Sequence, residues 1–116
     1  MQKGAIYMNY LKYVNTNTSE WKTISDGVEQ LVLRLEPDEG RFLVRFAPGK
    51  GYPKHRHPDV EEVFVIEGIY SDMGKEYEAG SYLYYPPNSV HAPISPSGCT
   101  IMVMSHKKPE LLEESD

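Results

Sequence analysis

The chain has 116 residues, one cysteine, four histidines, nine glycines, nine prolines and a formal net charge of −5. This length suits one domain around one core, and a lone cysteine excludes an intramolecular disulfide or a multi-cysteine zinc or iron–sulfur site. The acidic balance gives no general affinity for nucleic acid or anionic membrane, and no apolar run approaches the length of a membrane span.

Residues 1–20 read as a polar arm, with a turn or cap over Asn15-Thr16-Asn17-Thr18-Ser19. No apolar run or cleavage pattern marks a signal peptide there, so the expected compartment is the cytoplasm. Trp21 is expected to cover the edge of the core. A strand follows over 28–35, where Leu31, Leu33 and Leu35 alternate with Val32 and Arg34. Residues 36–40 form a turn. Phe42, Val44 and Phe46 then share one face of a second strand, with Arg41 and Arg45 on the other. Pro48-Gly49-Lys50-Gly51 breaks it. A third strand covers 60–66 and closes at Glu67-Gly68. Ile69-Tyr70 and Tyr77 flank a turn around Asp72-Met73-Gly74. A tyrosine-rich strand over 80–85 ends at Pro86-Pro87-Asn88, and a last strand covers 101–104. In the charged tail, residues 107–116, Glu110-Leu111-Leu112-Glu113-Glu114 has the make-up of one helical turn but is expected to fray. Strands recurring at intervals of about 8–12 residues predict an all-β sandwich or barrel.

His55 and His57 flank Arg56. On extended backbone, positions i and i+2 share a face, so both imidazoles can point inward while the cation points to solvent. Glu61 has the same parity as Val63 and Val65. Two imidazoles and a carboxylate on one inner face can hold a divalent metal. His91 follows the Pro86-Pro87-Asn88 turn and reaches the same place if the sheet closes into a barrel.

These spacings resemble the cupin family. Gly49, His55-Arg56-His57, Glu61 and Gly68 match its first motif in every interval. Gly80, Pro86-Pro87-Asn88 and His91 match the second, with Asn88 in place of a glycine and Ser95 in place of the final asparagine. Asparagine also tolerates positive φ, and Ser95 alters only a loop contact. Val44-Arg45-Phe46-Ala47-Pro48-Gly49, His55 to Pro58, Glu61 to Gly68 and Gly98-Cys99-Thr100 are similar to the cupin domain of the ChrR type, found in the C-terminal half of zinc-containing anti-sigma factors. The small acetylacetone-cleaving dioxygenases are similar too.

The resemblance implies a cupin-type double-stranded β-helix, a jelly-roll barrel, over residues 1–116. It implies one divalent metal, zinc, iron, manganese or nickel, held by His55, His57, Glu61 and His91. Glu61 rather than Glu62 takes the carboxylate position. Related dioxygenases use three histidines, so the added Glu61 leans towards the ChrR ligand set. The N-terminal helical zinc-binding half of the anti-sigma factors has no counterpart in these residues. Two functions follow: a metal-binding sensor or regulatory domain, or a mononuclear non-haem iron dioxygenase cleaving a small diketone or hydroxy-ketone. A small-molecule ligand and a homodimer are the expected partners.

Tyr52, Val63 and Tyr85 are expected to line the pocket; Tyr70 and Tyr77 are assigned to packing or edges. His106 is read as an exposed terminal residue, and Cys99 as a small buried hydrophobe. Arg41, Arg45, Lys50, Lys54 and Arg56 form a run without an acid. Pairing with acids on neighbouring strands is expected of it, ahead of a rim that attracts a small anion. Ser89 lacks the Gly-x-Ser-x-Gly elbow of a hydrolase.

Overall fold

The computed structural model describes residues 11–113. Within them lie the strands β1 (Lys22–Ser25), β2 (Val28–Glu36), β3 (Glu39–Phe46), β4 (Lys50–Gly51), β5 (His55–His57), β6 (Glu61–Asp72), β7 (Lys75–Glu78), β8 (Tyr82–Tyr85), β9 (Ser89–His91), β10 (Ile94–Ser95), β11 (Cys99–Ser105) and β12 (Glu110–Leu111). No helix among the described residues is long and apolar enough to cross a membrane.

A curled antiparallel sheet runs β1-β2-β3-β11-β6-β10-β4, with β7 and β8 also on β6. A second sheet has the order β12-β5-β9. The core follows the alternation expected of half-buried strands. Val44 stands beside Ile101, and Ile101 beside Val65; Phe42, Val103, Val63 and Leu83 form the next row. Val28, Phe46, Tyr70, Tyr85 and Cys99 complete the buried cluster.

β6 is longer than the sequence predicts. At Glu67-Gly68 it continues through a bulge: Val65 pairs with Ile101 and Glu67 with Thr100, so Ile66 has no register partner on β11. One extra residue reverses the inward parity. Odd positions 61, 63 and 65 are buried before the bulge, and Tyr70 and Asp72 after it. Gly68 sits just past the bulge with φ 78°, and a Cβ there would lie 2.2 Å from the carbonyl oxygen of Gly98. Met73 and Gly74, at φ 52° and 80°, close the β6–β7 hairpin, as a two-residue turn with two left-handed residues does.

Three expectations need correction. Trp21 does not cover the core edge. Its half-buried ring lies 4.0 Å from the Arg45 guanidinium, on the face of β3 opposite Val44 and Phe46, because a cation and the face of an indole attract each other. The tail does not fray throughout: Glu110 pairs with Arg56 and Leu111 with His55, since β5 would otherwise present an open edge. Residues 36–40 are mostly strand, leaving only Pro37 and Asp38 between β2 and β3.

The cation run pairs with acids on neighbouring segments. Arg45 meets Glu29 at 2.7 Å, Lys50 meets Asp26 at 2.8 Å, Arg56 meets Glu110 at 3.3 Å and Arg41 meets Glu39 at 3.8 Å. Exposed pairs of this kind contribute little each, about 0–1 kcal/mol. Ser95 keeps a loop contact: its hydroxyl donates to the Ile69 carbonyl at 2.5 Å, and its own carbonyl accepts from the Gly49 amide at 2.8 Å.

Candidate metal centre

β5 carries His55 and His57 on its buried face, with Arg56 turned away between them. Its partner is β9, in a register that places His55 opposite His91 and His57 opposite Ser89. Asn88 sets that register. It takes φ 71°, and its amide donates to the His57 carbonyl at 2.6 Å. Glu61 opens β6 and points inward with Val63 and Val65, opposite Tyr85 of β8.

The four side chains converge. The Nε2 of His57 lies 2.9 Å from the Nε2 of His55, 3.1 Å from the Nε2 of His91 and 2.9 Å from Oε1 of Glu61. Glu61 Oε1 is 3.7 Å from His91 Nε2. One ligand atom from each residue fits within 4.8 Å of all the others, and all four residues are buried. Such a group of nitrogen and oxygen donors could hold one divalent ion. An isolated carboxylate in that position, without a cation or donors, would be costly.

The surroundings differ from one imidazole to the next. His55 Nδ1 donates to the Pro53 carbonyl at 2.7 Å. His91 Nδ1 donates to Asp72 Oδ2 at 2.9 Å. His57 Nδ1 is buried and has no hydrogen-bond partner among the described residues. Burial pushes His55 down to about 4, although its bond to Pro53 acts the other way. Burial works to raise Asp72, yet the hydrogen bonds from His91 and Tyr85 hold it below the usual carboxylate range. Burial, with Asp72 beside it, pushes the Tyr85 hydroxyl up.

Of the expected pocket residues, Tyr52 stands edge-on to His55 with ring centroids 5.1 Å apart. Tyr85 is tilted against His91 at 4.4 Å. Val63 is fully buried in the core row below Glu61. His106 is outside the cluster, and Cys99 is buried, its thiol pushed up by burial. Residue pattern alone puts Asp72 in a turn and Tyr70 in packing; both stand behind the site. The bulge at Ile66 is what turns them inward, and no spacing in the sequence announces it.

An all-β curled barrel with this motif geometry is a cupin. The pattern of the ChrR cupin-like domain matches residues 10–109, and the chain belongs to that family. No curated protein matches the sequence. Solved structures share the fold. An acetylacetone dioxygenase from Acinetobacter johnsonii is 14% identical, with a TM-score of 0.83 over 90% of this chain and 80% of that one. The Rhodobacter sphaeroides complex of SigE with the anti-sigma ChrR is 22% identical, with a TM-score of 0.70 over 78% of this chain. A Ralstonia eutropha protein of unknown function with a cupin-like fold is 23% identical, with a TM-score of 0.72 over 77% of this chain. The chain spans 50% of the length of the matched chain in the SigE–ChrR complex and 60% of the Ralstonia protein.

Proposed function

We propose that this cupin binds one divalent metal ion through His55, His57, Glu61 and His91 and serves as a metal-binding regulatory or sensor domain. The observation that carries the reading is the convergence of three Nε2 atoms and one carboxylate oxygen within 4.8 Å, all buried. Zinc would find four protein donors and a closed shell. Iron, manganese or nickel would keep two positions open.

The likeness in fold to an acetylacetone dioxygenase supports a second reading, a dioxygenase acting on a small diketone or hydroxy-ketone. Such chemistry calls for an ion with open positions, which four protein donors leave in a six-coordinate shell. When bound, the ion would polarise a chelating dicarbonyl; Glu61 and the imidazoles would orient it.

Elemental analysis of protein purified without a chelating tag tests the shared claim. About one transition metal per chain is expected, and none after refolding with zinc and with iron overturns it. Oxygen uptake by iron-loaded protein over a panel of diketones then separates the two readings. The reading extends, on family analogy, to a cytoplasmic homodimer; a monomeric mass in sedimentation removes the dimer.

A further inference from the structure

We propose that Asp72 is the positioning residue of this centre: its buried carboxylate commits His91 to the tautomer whose Nε2 lone pair faces the other donors. The inference rests on the metal-binding reading and adds a residue that neither the motif nor the donor cluster contains.

A neutral imidazole donates from one nitrogen and accepts at the other. A carboxylate can only accept. With Asp72 Oδ2 at 2.9 Å, Nδ1 of His91 must carry the proton, and Nε2 is left as a free donor atom. Asp72 is itself held. Oδ2 also accepts from the Tyr85 hydroxyl at 2.5 Å. Tyr85 has then spent its only proton, so at the 3.1 Å contact Tyr70 donates to Tyr85. The chain Tyr70, Tyr85, Asp72, His91 is buried throughout, and β6 and β8 supply its first three members. The other two imidazoles have no such support: His55 leans on the Pro53 carbonyl, and His57 Nδ1 has no hydrogen-bond partner among the described residues.

The test uses full-length wild type, Asp72→Ala and Asp72→Asn. Zinc affinity is measured by competition with a chromophoric chelator. Imidazole tautomers are read by side-chain 15N NMR on the metal-free proteins. Wild type should show His91 protonated on Nδ1. Asp72→Ala should lose that preference and bind zinc about ten- to hundred-fold more weakly. Asp72→Asn keeps an acceptor of the same shape without the charge, and should fall between, about three- to ten-fold weaker. It also serves if Asp72→Ala does not fold. Zinc affinities within about two-fold of wild type in a folded variant overturn the proposal, and so does a wild-type His91 protonated on Nε2. A wild type that binds no zinc refutes the metal reading instead. The tautomers of metal-free protein then decide on Asp72 alone: an Nδ1 proton lost in the variant sustains it, and one retained in Asp72→Ala overturns it.

Discussion

His55 and His91 stand directly opposite each other across the β5–β9 ladder, with ring centroids 4.4 Å apart. Their rings meet because an antiparallel register sets facing side chains on one face. Neither can be replaced by a neighbour: Arg56 and Val90, the next pair, point the other way. His91→Ala and His55→Ala are each expected to weaken zinc binding by more than about a hundred-fold, beyond the effect of losing a supporting residue. His106→Ala should leave it unchanged. Isothermal titration of the three variants checks this, and equal losses would reject the cluster.

Gly68 is the tightest backbone contact near the bulge. Its φ of 78° and the 2.2 Å approach of a Cβ to the Gly98 oxygen leave no room for a side chain. Gly68→Ala is expected to destabilise the fold by at least about 2 kcal/mol, from left-handed strain plus the clash. Gly74→Ala has open space and carries the strain alone, so it should cost about half as much. Urea unfolding of both variants measures the difference.

Val65 is completely buried between Ile101 and the rest of the core. Val65→Ala removes two methyl groups and leaves a cavity, for a loss of about 2 kcal/mol. The same truncation at Val32, 43% exposed, should cost under about 1 kcal/mol. Thermal melts of the two variants side by side test the ranking.

Without metal, stability should depend on pH through His55. Burial sets it at about 4, against an ordinary 6.5. Between those values the unfolded chain binds a proton that the folded chain refuses. Stability is therefore highest above about pH 6.5 and falls as pH drops towards 4, by up to about 3 kcal/mol. Asp72, held low, adds its loss only below its ordinary 3.8. Denaturation of metal-free protein at about pH 7.5 and about pH 4.5 should show the fall, and a flat profile contradicts it.

The tail clasps the strand that carries two donors. Leu112 donates from its amide to the Lys54 carbonyl at 3.0 Å, and Glu110 faces Arg56 at 3.3 Å. Glu110→Ala should cost under about 1 kcal/mol, because the pair is exposed. Removing residues 109–116 takes away the ladder itself and exposes the edge of β5. Metal release into excess chelator should then be several-fold faster than from full-length protein, and an unchanged rate would show that β9 alone holds β5.

Much of the site is legible in order and spacing. His55 and His57 lie two apart and Glu61 shares the parity of Val63 and Val65, so one face of extended chain must carry them together. Asn88 is readable as a left-handed residue, because asparagine tolerates that region. Parity carries only as far as the register is unbroken. The bulge at Ile66 reverses it, and Tyr70 and Asp72 turn inward where counting by twos along the strand would turn them out. The strand at 110–111 is equally hidden: two residues of a charged segment have no period, and they become a strand only because β5 offers an open edge.

Residue types and local spacing by themselves determined the all-β class of the fold, the shared face of His55 and His57 and the left-handed turn positions, because these depend on backbone sterics over a few bonds; His91 joined the set only through the family resemblance and the β5–β9 register. The tertiary structure alone decided that a carboxylate stands behind His91, whereas His55 leans on the carbonyl of Pro53, two residues before it. Asp72 comes from β6, and its approach to His91 depends on how the strands pack and on one unpaired residue in β6, which no local rule encodes.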